Sequence, residues 1–361
     1  MPTAISHIRE RTGNFCRRFQ LEAPILLAPM AGVPAPELSV AVARAGGMGA
    51  CGVLLMSPLE ILEWARQVRS LGGSAFQLNT WIPDPPPQRD HAHEADVRAF
   101  LSAWGPPVAP QAGDALPPQF DLQCEAMLAA DPPVISSVMG LFPASFIRNL
   151  KQRGIAWLAN VSTVAEARAA EAAGADVIVV QGMEAGGHRA CFEAGAAERR
   201  QVGLMALLPA VLDAVRLPVA AAGGIADARG LAAALVLGAS AVQIGTAFLR
   251  CPEAHIPAAW ADALAASAPE DTVMSRVFSG RLGRSIATDY VRAATAAAAP
   301  DPAPYPVQRG LTAAMRSAAV AANDLHRMQA WAGQAAALAR AEPASHIVAQ
   351  LWKGARELLG V

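Results

Sequence analysis

Short apolar runs alternate along this chain with longer alanine-rich stretches of helical period. The runs are PILLAPM (24–30), GGMGACG (46–52), SAFQLN (74–79), PVISSVM (133–139), GIAWLANV (154–161), ADVIVVQG (175–182), LPVAAAGG (217–224) and ASAVQIG (239–245). Each is apolar throughout rather than alternating, as parallel strands covered on both faces are. Between most of them lies a segment of helical period, at 36–45, 58–70, 143–152, 163–173, 203–215 and 227–237. Eight strand–helix units predict an α/β fold, a (β/α)8 TIM barrel with a smaller helical cap; an open doubly wound sheet is the structural rival.

Two stretches break the repeat. Residues 80–130 are proline-rich at both ends, with a polar helix-period piece between, and read as an insertion after the third strand. Residues 251–330 read as a mostly helical block interrupted by DPAPYP (301–306), and 343–359 as a closing amphipathic helix. The expected organisation is a barrel over 14–250, a helical cap or substrate region over 251–330, and C-terminal helices over 331–361 that pack back on the barrel.

Composition narrows the function. A formal net charge of −1, with Lys151 and Lys353 the only lysines and no basic stripe, gives no reason to expect a nucleic-acid partner. No apolar run reaches the length of a membrane span, and the first residues lack the apolar core of a signal peptide. The five cysteines are scattered without a CxxC pair, which fits a reducing, cytoplasmic setting and supports neither a disulfide framework nor zinc. His91 and His93 sit in the polar insertion and read as surface residues rather than metal ligands; no metal site is expected.

In such barrels chemistry gathers where strands end. Gly223 and Gly224 close the seventh strand, and Asp227 is a suitable N-cap for the helix that follows. Gln243-Ile244-Gly245-Thr246 repeats the arrangement one unit later. Bare backbone N–H groups at these two turns form a phosphate site. Met30, Asn79, Gln181 and Gln243 add soft or uncharged polar groups at strand ends, suited to the edge of a flat heteroaromatic ring. The account that joins both features is a phosphorylated flavin. After the sixth strand, VVQGMEAGGHRA (179–190) carries Gly186 and His188 on the same face, where the imidazole can move a proton near a ligand.

LLAPMAGV (26–33), GGMGACG (46–52), FQLNTW (76–81), VVQGMEAGGHRA (179–190), the run from PVAAAGGI to QIGTAFL (218–249) and the tail YPVQRGLTAAMR…WAGQAAAL (305–338) resemble nitronate monooxygenase, formerly called 2-nitropropane dioxygenase. The resemblance covers most of the barrel and much of the C-terminal block. Bacterial FMN-dependent enoyl-acyl-carrier-protein reductases share much of the pattern. It implies non-covalent FMN on Met30, Asn79, Gln181, Gly186, Gly223, Gly224, Gln243, Ile244, Gly245 and Thr246. It implies His188 as the catalytic histidine, and Tyr305 and Gln334 as pocket residues. The substrates implied are an alkyl nitronate or nitroalkane and O2, the products a carbonyl compound and nitrite. One departure stands out: many bacterial members carry a histidine in the fourth strand where this chain has Val138, in SSVMG (136–140), so the base work falls to His188. Arg189 and Arg284 are candidates to attract an anion, or each simply pairs with a surface acid.

Two rivals follow from the same residues. One is an NAD(P)H-dependent flavin reductase of an enoyl thioester or quinone, which the apolar SSVMG wall would suit. The other is a phosphosugar isomerase or aldolase on the same barrel; neither lysine lies at a strand end, which counts against the aldolase. Oligomeric state is left open by the sequence.

Overall fold

The computed structural model describes residues 4–33 and 35–360. Positions 1–3, 34 and 361 lie outside it, so the last residue of the expected closing segment is not described.

Eight parallel strands form one sheet: β1 (Ile25–Leu27), β2 (Gly49–Gly52), β3 (Phe76–Trp81), β4 (Val134–Val138), β5 (Ala156–Val161), β6 (Val177–Gln181), β8 (Val219–Ala222) and β9 (Ala241–Ile244). The intervening β7 (Gly187–His188) leaves this sheet for another. At the two edges Leu26 bridges Met48, with Leu27 N donating to Met48 O at 2.8 Å, and the sheet comes round to a nearly closed barrel. All eight strands expected from the apolar runs are present.

The two-residue period of the strands sorts the barrel interior into layers. Leu26, Val134, Leu158, Val179, Ala220 and Ala241 make an apolar lower layer. Asn79, Ser136, Asn160, Gln181 and Gln243, each at or near the C-terminal end of its strand, make a polar layer above it. The helix Ala4–Phe19 sets the rings of Phe15 and Phe19, 4.9 Å apart, against the lower layer. Burying each ring stabilises the fold by about 2–3 kcal/mol and stoppers that end of the barrel.

Outward-facing strand residues such as Leu27, Leu78, Ile135, Trp157 and Val180 join the helices in the main core. The crossing helix of the third unit, Phe120–Ala129, lies inside the 80–130 segment and packs beside Pro58–Ser70. The amphipathic helix Ala344–Leu359 buries Ile347, Val348 and Leu351 and lies against Ala228–Leu237, completing the outer ring.

The expectation of a mostly helical block after the eighth strand needs one correction. Strands β10 (Thr272–Ser275) and β11 (Gly283–Ile286) pair antiparallel, and β11 pairs in turn with β7 through Gly283 opposite His188 and Arg284 opposite Gly187. These strands are four residues or shorter, and GRSI and GH carry no apolar alternation, so nothing in their pattern announced them. Their pairing attaches the segment after the barrel to the loop that carries His188.

Candidate active site

The C-terminal ends of the strands open into a cavity of about 730 Å³. The polar layer forms its floor. Asn79 donates to Ser136 Oγ at 2.9 Å, Gln243 donates to Asn160 Oδ1 at 3.2 Å, and Asn160 donates to the Ser137 carbonyl at 2.9 Å. Asn79, Asn160 and Gln243 all line the cavity. Gln181 lines it too, but both ends of its amide are engaged by the next loop. Its Nε2 donates to His188 O at 3.0 Å, and its Oε1 accepts from Ala190 N at 2.8 Å. The Gln181 amide therefore fixes the backbone on either side of Arg189.

At one end of the cavity stand the glycine turns. Gly223 has φ +113° and Gly224 φ +67°, backbone that a side chain disfavours. Asp227 caps the helix Ala228–Leu237 by accepting from Arg229 N and Gly230 N. Those helix-start amides are thus taken by the protein itself, and an anion would be left with the amides of the glycine turn before them. Ile244 and Gly245 line the cavity beside Met30, and a Cβ on Gly245 would come within 3.5 Å of Met30 Sδ. Thr246 Oγ1 accepts from Gly333 N at 3.0 Å, which leaves its proton to donate. Gly186 approaches the same segment so closely that a Cβ would lie 2.5 Å from Gly333 N.

His188 lines the cavity with a partly exposed ring. Trp81 and Trp331 meet it edge-on, at centroid distances of 4.6 and 4.7 Å. Its Nε2 lies 2.7 Å from Ser279 Oγ. Burial, and then the positive charges of Arg281, Arg309 and Arg316, push its pKa down to about 3, so the ring is neutral in ordinary buffers. Val138 ends β4 opposite Trp81 and lines the cavity, next to Met139, which is held at φ +66°.

Arg189 and Arg284, the expected anion-attracting pair, face carbonyls instead. Arg189 is 2% exposed and donates to the Ser162, Gln181 and Arg200 carbonyls, while Arg284 donates to Met183 O and Thr272 O. Each is committed to holding loops together. The cavity's positive charge comes from Arg309 and Arg316, which line it. Among the described residues no carboxylate pairs with either. Arg316 donates to Thr312, Gln329 and the Arg309 carbonyl, and burial together with Arg309 lowers its pKa to about 10. Both arginines lie within the tail motif, YPVQRGLTAAMR, four and eleven residues beyond Tyr305. Their place in that motif was the available signal. Trp331 opens the WAGQ part of the same motif, and Asn160 is an amide near a strand end like Asn79; Ser279 had no signal.

Tyr305 packs against Trp81 with the rings tilted and 5.4 Å apart, outside the cavity wall, and its buried hydroxyl has no partner. Gln334 is also outside that wall; its backbone N–H donates to Glu184 O. His93 Nε2 contacts Asp301 O at 2.7 Å, and His91 is an exposed neighbour of Glu94.

The sequence profile of nitronate monooxygenase matches residues 15–354. The chain belongs to that family. It is 40% identical over 341 residues to a nitronate monooxygenase of Paraburkholderia phytofirmans, covering 92% of each chain. It is 36% identical over 345 residues to one of Pseudomonas aeruginosa, covering 94% of this chain and 98% of that one. Among solved structures it superposes on a nitroalkane oxidase from Streptomyces ansochromogenes with TM-score 0.85 at 33% identity, covering 93% and 96% of the two chains. FabK from Thermotoga maritima superposes with TM-score 0.75 at 27% identity, covering 96% and 97%. The family is flavin-dependent. The cavity fits such a group on its own terms: side-chain-free turns at one end, an uncharged amide floor, and room beyond what the histidine and its neighbours fill.

Proposed function

We propose that the cavity holds FMN, with its phosphate at the turns of Gly223–Gly224 and Gly245–Thr246, and that the chain oxidises alkyl nitronates with O2 to a carbonyl compound and nitrite. The observation that carries this reading is His188. It is a neutral imidazole locked between Trp81 and Trp331, in a cavity whose nearby charge is all arginine. A nitronate is an electron-rich anion, and the uncompensated Arg309 and Arg316 favour its entry over that of a neutral or cationic compound. Bound flavin would supply the electron acceptor. Met30, Asn79, Gln243 and Gly186 are the residues that would contact the ring, and Thr246 the phosphate. His188 would hold the nitro oxygens of a nitronate, or take the α-proton from a neutral nitroalkane through the ring nitrogen not bonded to Ser279. Trp81, Val138 and Trp331 would exclude water from that nitrogen. Oxygen needs no charged site, and Val138 keeps part of the cavity wall apolar.

The test is an absorption spectrum of the purified protein, followed by anaerobic mixing with propionate 3-nitronate and with NADH in separate runs. Flavin bleaching by the nitronate, slowed at least about tenfold in His188→Asn with the yellow colour kept, is expected. Faster bleaching by NADH than by the nitronate would favour the reductase alternative. Equal rates in variant and parent remove His188 from the reaction.

A further inference from the structure

Gln77 lies on β3, one inward-facing position below Asn79, and it is fully buried and outside the cavity wall. Its Nε2 donates to the backbone carbonyl of Leu27 at 3.1 Å and to Gln243 Oε1 at 3.3 Å. Its own Oε1 is buried with no hydrogen-bond partner. An apolar side chain of the same shape would fill this position without burying an oxygen that has no partner. The glutamine is therefore hard to account for by packing, and its two donated bonds are where its use must lie.

Those bonds belong to a one-way chain. Gln77 donates to Gln243, Gln243 donates to Asn160, and Asn160 donates to the Ser137 carbonyl. At both ends stands a main-chain carbonyl, Leu27 O and Ser137 O, which accepts and never donates. Turning Gln77 over would set its oxygen against the Leu27 and Gln243 oxygens. Turning Gln243 alone would set its NH2 against that of Gln77. The two carbonyls thus fix the direction of all three amides, and Gln77 passes that direction from Leu27 to Gln243.

We infer that Gln77 is a positioning residue for the bound flavin: by donating to Gln243 Oε1 it holds that amide from the side opposite Asn160, and so fixes where the floor of the cavity offers its donor and acceptor to the ring. The inference rests on the FMN reading above. Gln243 and Asn160 each retain one N–H and one lone pair beyond the chain. With Gln77 present these point in one fixed sense. Without it, Gln243 keeps its bond to Asn160 but its oxygen loses the Gln77 partner, so the amide can swing about that one remaining contact.

The experiment is a double-substitution cycle on the full chain, combining Gln77→Met and Gln243→Met, with FMN affinity, the visible absorption spectrum and the flavin midpoint potential as readouts. Thermal unfolding of the flavin-free proteins controls for folding. Gln77→Met is expected to weaken FMN binding about tenfold and to shift the flavin spectrum and potential, while the flavin-free protein melts as the parent does. In the Gln243→Met background the same change should do nothing more, because the residue it acts through is gone. Additive losses, or an unchanged spectrum and affinity, overturn the inference. So does a Gln77→Met protein that loses stability while its flavin signals stay put, which marks a structural role. Should Gln77→Met not fold, Gln77→Leu is read the same way, and failure of both to fold overturns it. A parent protein that retains no FMN strikes the FMN reading itself and this inference with it. Additivity in a parent that does retain FMN strikes Gln77 alone.

Discussion

His188 titrates far below an ordinary histidine, and this has a measurable consequence for stability. In the unfolded chain the ring has its usual pKa of 6.5; in the fold burial and three arginines take it to about 3. A depressed histidine favours the fold while it is neutral in both states, that is, above pH 6.5. As pH falls below that value the unfolded chain takes up a proton that the folded chain refuses, and stability is lost until pH reaches about 3. Between pH 6.5 and pH 4.5 the two-unit span corresponds to about 2.7 kcal/mol, which solvation of the ring's cavity-facing side reduces to about 1–2 kcal/mol. The assay is urea unfolding of the flavin-free protein and of His188→Gln, each at pH 7 and pH 4.5. Glu94, Asp176 and Asp227, whose carboxyls are held below the ordinary range, also destabilise the fold on acidification, but equally in both proteins. The variant should therefore lose about 1–2 kcal/mol less than the parent over this interval. The same loss in both proteins refutes the claim that the imidazole is held neutral by its surroundings.

Two more outcomes follow from particular contacts. Arg281 is 2% exposed and pairs with Asp84, its Nε at 2.7 Å, so Asp84→Asn leaves a buried charge without its partner. The cost, discounted for the partial exposure of Asp84, is about 2 kcal/mol, read as a fall in melting temperature by calorimetry; an unchanged melting temperature would falsify it. Gly224→Ala forces a side chain onto φ +67° in the turn assigned to phosphate, which costs about 1 kcal/mol of strain and should raise the FMN dissociation constant several-fold in a fluorescence-quenching titration. An alanine variant that binds FMN as tightly as the parent moves the phosphate elsewhere.

Much of this could be read from the chain because the barrel is built from repeats. Each buried parallel strand needs an unbroken apolar run, so all eight were visible, and a glycine pair at one end and a single glycine at the next marked the turns at Gly223 and Gly245. Residues were misjudged where side-chain type alone could not say which way a group faces. Arg189 and Arg284 look like anion anchors by charge, yet they spend their N–H groups on main-chain carbonyls. Arg309 and Arg316 sat in a quoted motif, but only the fold brings them to His188 from 121 and 128 residues further along. Strands β10 and β11 escaped because a four-residue strand with Arg284 and Ser285 inside it has no pattern to betray it. Nothing in the sequence singles out Gln77; its orphaned oxygen is a property of its neighbours in the fold.

The pairing of Gly283 with His188 constrains how molecules get in and out. A segment paired with the backbone of His188, the residue proposed to do the chemistry, cannot shift without dragging the imidazole with it. The two strands and that ring therefore travel as one piece. Any movement of this segment that widened the cavity would also displace the ring, so passage that leaves the ring in place has to run elsewhere along the cavity wall.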